Sequence, residues 1–149
     1  MNEQGLYLHI PFCEQKCHYC DFVIRTNGDG EHADFVAALG IQAEYMAKVI
    51  ENRNFSTIYL GGGTPSMLSS VEMKQVFDIL NNQYTWSEDA EITCEVNPSD
   101  VTADKIKTYR DLGINRISLG AQSFSDHLLK DMGRTHQAKD IQKAFEIVC

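Results

Sequence analysis

The sequence predicts an α/β fold organised around a parallel sheet, on three observations. Strand-like and helix-like segments alternate four times along the 149 residues, a pattern that calls for parallel strands joined by helical crossovers. The chemically unusual stretches, Cys13 to Cys20, Gly61 to Pro65, Glu95 to Pro98 and Gly120 to Phe124, each follow a strand and never a helix. In parallel sheets the loops after the strand ends gather on one face, and ligands bind there. The composition, 43% hydrophobic and 23% charged, is enough for one buried core and is not that of a disordered chain.

Each element has a local reason. Leu6 to Ile10 is a short apolar run closed by Pro11 and reads as the first strand, with Tyr7 and His9 on one face by alternation. Asn27-Gly28-Asp29-Gly30 marks a turn. From His32 to Ile50, Phe35, Leu39, Tyr45, Met46, Val49 and Ile50 recur at spacings of three and four among alanines, the pattern of an amphipathic helix. Thr57 to Leu60 is the second strand. Ser69 with Glu72 three residues later is a capping box, which starts a helix over Val71 to Leu80. Ala90 to Val96 is the third strand. Thr102 caps a helix from Ala103 to Leu112, with Gly113 as its terminating residue. Arg116 to Leu119 is the fourth strand, followed by a short helix over Asp126 to Asp131 and a last helix from Asp140.

The most informative stretch is Cys13-Glu14-Gln15-Lys16-Cys17-His18-Tyr19-Cys20. Three thiolates from one tight loop suit three irons of a [4Fe–4S] cube, leaving the fourth iron for a ligand that is not protein. His18 lies inside the loop as a spectator. Zinc would usually take four protein ligands, and the chain has no second Cys or His pair downstream. A disulfide framework fits poorly with five cysteines and no secretory leader in residues 1–12. Cys94 and Cys149 read as ordinary buried thiols.

The run Leu6 to Phe12 with Cys13, Cys17, His18-Tyr19-Cys20 and Asp21-Phe22 resembles the start of the radical S-adenosylmethionine enzymes, in the branch of oxygen-independent coproporphyrinogen III oxidases and their haem-chaperone relatives. The resemblance implies a partial (β/α) barrel, with about four of an expected six β/α units here. Residues 1–149 would be the N-terminal part of the core domain, with a C-terminal domain absent.

It also implies roles. Cys13, Cys17 and Cys20 would hold the cluster. Gly62, Gly63 and Thr64 would lie along the methionyl end of S-adenosylmethionine; Thr64 stands where the family usually has an acid. That leaves Glu95 as partner for the ligand's ammonium or ribose, and a carboxylate at the inner end of a strand needs such a partner or donors in any case. Gln122 would contact the nucleoside, Tyr19 the adenine, and the planar fork of Arg134 the ligand carboxylate. Tyr7 would approach the sulfonium and is the candidate catalytic residue, with His9 a weaker one. Asn97 before Pro98 reads as turn chemistry, and His136 carries no assigned role.

Phe22 separates the two sub-branches, because the oxidases carry a further cysteine at that place and the chaperones match Phe22. The sequence therefore favours a haem-chaperone-like member of porphyrin metabolism. The alternatives are a coproporphyrinogen III dehydrogenase acting by oxidative decarboxylation, and a zinc-stabilised binding module. Expected partners are the cofactors, a porphyrin or haem ligand and an electron donor. A formal net charge of −8 argues against nucleic acid, no run approaches the roughly 20 apolar residues of a membrane span, and the setting is expected to be cytoplasmic.

Overall fold

The computed structural model describes residues 4–26 and 30–149. Four parallel strands form one sheet in the order in which the chain makes them: β1 (Gly5–Ile10), β4 (Asn54–Gly62), β5 (Thr85–Val96) and β6 (Arg116–Leu119). Sequential order with helical crossovers is the arc of a (β/α) barrel, as expected. The helices are α1 (Glu31–Val49), α2 (Ser70–Gln83), α3 (Ala103–Asp111), α4 (Asp126–Asp131) and α5 (Ala138–Val148). Between β1 and α1, β2 (Phe12–Cys13) pairs with β3 (Arg25–Thr26) in a small parallel ladder that the sequence pattern did not predict. Two residues per strand are too few to carry a period.

Alternation assigns each strand residue to a face. Leu8, Ile10, Ile58, Leu60, Ile92, Cys94 and Val96 point into the core with Met73, Val76, Phe77 and Leu80 of α2 and Ile106 and Tyr109 of α3. The same parity puts Tyr7, His9, Tyr59, Gly61, Thr93, Glu95 and Ser118 on the opposite, inner face, where Tyr7 pairs in register with Tyr59, His9 with Gly61 and Glu95 with Ser118.

Several expectations shift. β4 and β5 begin three and five residues earlier than the apolar runs suggested, joined by the pairs Asn54 with Thr85 and Phe55 with Trp86 before a register shift. α1 buries Val36, Leu39, Ala43 and Ala47, while Tyr45 and Val49, expected on the core face, are exposed. Small residues win that face because α1 packs closely on α2, and the Tyr84 hydroxyl donates to the Ala43 carbonyl at 2.9 Å. The Ser69 and Glu72 capping box forms as expected, and Thr102 caps α3. α5 starts at Ala138 rather than at Asp140, whose carboxylate instead accepts from the Gln137 amide. Cys94 is buried, but Cys149 is exposed, one residue past the end of α5, where among the described residues no element packs over it. Residues 27–29 of the expected turn lie outside the described residues. Among the described residues no helix is long and apolar enough to cross a membrane.

Candidate functional site

All four post-strand loops converge on one cleft of about 310 Å³, at the lower end of the roughly 300–1,000 Å³ of small-molecule sites. Cys13, Cys17, Cys20, Tyr19, Gly62, Gly63, Thr64, Glu95, Gln122 and Arg134 all line it. Tyr7 does not; it lies on the inner face of β1, 56% exposed, with its ring stacked on Tyr59 at 6.1 Å.

The cysteine loop is seated by backbone. The Gly63 amide donates to the Ile10 carbonyl and the Thr64 amide to the Phe12 carbonyl, at 2.8 and 2.6 Å, so the end of β4 holds the entry to the loop. A Cβ on Gly63 would lie 2.6–2.8 Å from the Phe12 and Pro11 backbone, which explains why no side chain stands there. Gly62 has φ +113 and sits against the His9 ring, a conformation and a contact that only glycine meets cheaply. The Cys20 amide closes a turn on the Cys17 carbonyl at 3.1 Å, presenting the last two thiols from one bend. Thr64 Oγ1 lies 3.4 Å from Cys13 Sγ, so the residue standing in the acidic position faces a cysteine. Burial pushes the Cys13 thiol up, and the Thr64 hydrogen bond opposes that shift.

The loop's far side rests on the end of α4. The His18 amide donates to the Met132 carbonyl at 3.0 Å, and His18 Nδ1, facing a carbonyl, donates to Asp131 at 2.7 Å. Gln15 Nε2 donates to the Gly133 carbonyl at 2.5 Å. His18 is therefore a strut rather than a bystander. α4 ends in a Schellman turn, with Gly133 at φ +72 and the Arg134 amide returning to the Leu129 carbonyl at 2.8 Å. That turn aims Arg134 into the cleft, where Nη1 lies 3.7 Å from Cys17 Sγ and Nη2 donates to Asn97 Oδ1 and, at 3.1 Å, to the Gly120 carbonyl. Its buried Nε has no partner among the described residues.

Glu95 is satisfied by donors rather than by a cation: the Tyr59 hydroxyl at 2.7 Å and the Gly62 amide at 3.2 Å. The hydrogen bond to Glu95, then burial, raises the Tyr59 hydroxyl, and burial followed by the Glu95 charge raises that of Tyr7. His9 Nε2 faces the Val23 carbonyl at 3.0 Å and so carries the proton, which leaves Nδ1 to accept from the Tyr7 hydroxyl at 3.2 Å. Tyr7 and His9 thus share a face, as alternation predicts. Gln122 is held at φ 60, a left-handed conformation rare for a side-chain-bearing residue, in the loop after β6. His136 Nε2 donates to Ala121 of that loop at 3.2 Å, and burial lowers its pKa. Its role is to brace the loop.

Sequence reasoning missed three residues. Tyr59 reads as strand filling, His18 as a bystander and Asn97 as turn chemistry. Asn97 does serve the turn, through Ser99 at 2.6 Å, but also receives Arg134. The local sequence signals none of the long-range contacts of Tyr59, His18 and Asn97, which span from 36 to 114 residues.

Comparison with known proteins adds the ancestry of this site. The Radical SAM superfamily description matches residues 7–149. The chain is 41% identical over 144 residues to the heme chaperone HemW of Escherichia coli, covering 96% of this chain and 38% of that protein. It is 38% identical to the heme chaperone HemW of Bacillus subtilis over the same fractions. Among solved structures it superposes on the coproporphyrinogen III oxidase HemN of Escherichia coli, a radical SAM enzyme, with a TM-score of 0.89 at 28% identity, covering 97% of this chain and 33% of that one.

Proposed function

The chain belongs to the Radical SAM superfamily, in the branch of HemW and HemN, and from that premise we propose that it holds a [4Fe–4S] cluster on Cys13, Cys17 and Cys20 with S-adenosylmethionine beside it. The single observation that carries this reading is the convergence of three cysteines, a glycine edge, Glu95, Gln122 and Arg134 on one cleft. The donor set fits the group: three soft thiols from one loop, beside a buried Arg134 Nε that has no partner among the described residues. Among the described residues no three Cys, His, Asp or Glu side chains gather as ligands of a single metal ion. A cube does not ask them to, because it spreads its protein ligands over separate irons.

When bound, the pair supplies one-electron chemistry at the sulfonium, with the electron coming from a separate donor. The chain's own residues orient and shield. In this reading the backbone of Gly62 and Gly63 and the hydroxyl of Thr64 border the methionyl end. Glu95, held by Tyr59 and the Gly62 amide, takes the ligand's ammonium or ribose, Gln122 meets the nucleoside, and Tyr19 packs on the base. Tyr7 is proposed near the reacting end. Its proton is committed to His9, so it is placed to hold rather than to donate.

The chain spans 38% of the length of the Escherichia coli HemW it matches. The activity of the whole protein is proposed from the relatives: a haem-chaperone-like role in porphyrin metabolism, with haem as ligand and a cytoplasmic, reducing setting that suits five free cysteines. Phe22, 63% exposed beside Cys20 and lining the cleft, is the residue that favours this over oxidative decarboxylation of coproporphyrinogen III. Anaerobic reconstitution with iron and sulfide tests the core of the proposal. Iron and sulfide in equal amounts, lost in Cys17→Ala, support it; a colourless protein that binds zinc alone overturns it.

A further inference from the structure

A carboxylate gripped end-on by Arg134 would need both Nη groups of its fork. Here the fork is divided: Nη1 faces Cys17 Sγ at 3.7 Å, while Nη2 serves Asn97 Oδ1 and the Gly120 carbonyl. Each partner is itself fixed. The Asn97 amide donates to Ser66 Oγ at 3.0 Å, and that fully buried hydroxyl donates to Asp100 at 2.6 Å. A Cβ on Gly120 would stand 3.3 Å from Nη2, so the glycine keeps room for the guanidinium. On the other side, His18 and Gln15 clamp the cysteine loop to the carbonyls of Asp131, Met132 and Gly133, the three residues immediately before Arg134. A Cβ on Gly133 would meet the His18 ring at 3.3–3.5 Å. The Cys17 sulfur and the guanidinium are therefore held against each other from both ends.

We propose that Arg134 is a positioning and tuning residue for the cluster: its Nη1 donates to the ligating sulfur of Cys17 and raises the reduction potential of the cluster, with His18 as the strut that sets the contact. The inference rests on the cluster assignment above. Reduction adds one electron from an external reductant to the cluster and no proton, making the thiolate-ligated group more negative by one unit. A fixed positive charge and a hydrogen bond at a ligating sulfur stabilise that more negative state, in a half-buried place where screening is weak. Among the described residues Nε has no partner, and Nη1 keeps a second N–H beyond the one facing Cys17, so tuning and ligand contact can share one side chain.

The test is the midpoint potential of the reconstituted chain without S-adenosylmethionine, followed by electron paramagnetic resonance, for wild type, Arg134→Gln, Arg134→Lys and His18→Ala. Arg134→Gln is expected to lower the reduced-to-oxidised ratio at a fixed solution potential about tenfold, equivalent to about 59 mV for a one-electron couple. Arg134→Lys, which keeps the charge, should recover much of that loss. His18→Ala, which leaves the guanidinium but loosens its seat, should shift the ratio the same way by less. If Arg134→Gln leaves the potential unchanged and only weakens S-adenosylmethionine binding, the residue is a ligand anchor and the proposal is overturned. Should Arg134→Gln fail to retain four irons, His18→Ala decides, and an unchanged potential there overturns it as well. A wild-type chain that forms no cluster would instead remove the cluster assignment on which this rests.

Discussion

Gly63 shows how closely one residue is tied to the site. The nearest atoms to a methyl group placed there are backbone, at 2.6–2.8 Å, and backbone at the root of the cysteine loop cannot step aside as a flexible side chain can. Gly63→Ala should cost about 1–3 kcal/mol in urea unfolding and reduce the iron retained after reconstitution; unchanged values for both would show that the loop root gives way easily. Cys17 is tested more simply, since Cys17→Ala should lose the cluster with little change in secondary structure, and full iron content would remove it as a ligand. Tyr59 stabilises Glu95 through one hydroxyl at 2.7 Å. Tyr59→Phe should cost about 1 kcal/mol in urea unfolding and leave the carboxylate with the Gly62 amide as its remaining donor among the contacts described.

The elements explain why some of this was readable and some was not. Ser69 and Glu72 announce the start of α2 because capping is local, three residues apart, and the structure forms both bonds. Ser69→Ala should lower stability by about 1 kcal/mol, a fall in Tm of about 2–4 °C for a chain of this size. Gly133 likewise announces the end of α4, and so the place of Arg134, because a left-handed terminus favours glycine. What Arg134 then touches depends on Asn97, Gly120 and Cys17, which arrive from three other loops, and no local pattern carries that information. The apolar residues of α1 misled for a related reason: Tyr45 and Val49 have helical spacing, yet the close approach to α2 selected Ala43 and Ala47. β5 offers a test of burial at the sheet's centre. Burial pushes the Cys94 thiol from its ordinary 9.0 up to about 12. The unfolded chain releases this proton first, so its contribution is complete below about pH 9 and is lost as pH rises toward about 12, at about 1.4 kcal/mol per unit. Cys94→Ala should flatten the fall in stability between about pH 9 and pH 11 in urea titrations; an equal slope in both proteins would contradict that burial.

At the scale of the whole molecule, strand order made the site foreseeable. Four parallel strands in sequence order place four post-strand loops on one rim, and each of those loops is chemically odd in the sequence alone. We propose that this rim binds a cluster with one iron left open to S-adenosylmethionine. The most direct test is electron paramagnetic resonance of the anaerobically reconstituted and reduced chain, with and without S-adenosylmethionine. A [4Fe–4S]⁺ signal whose g values change when S-adenosylmethionine is added is the expected result. A cluster signal that is the same with and without it would contradict the open-iron site.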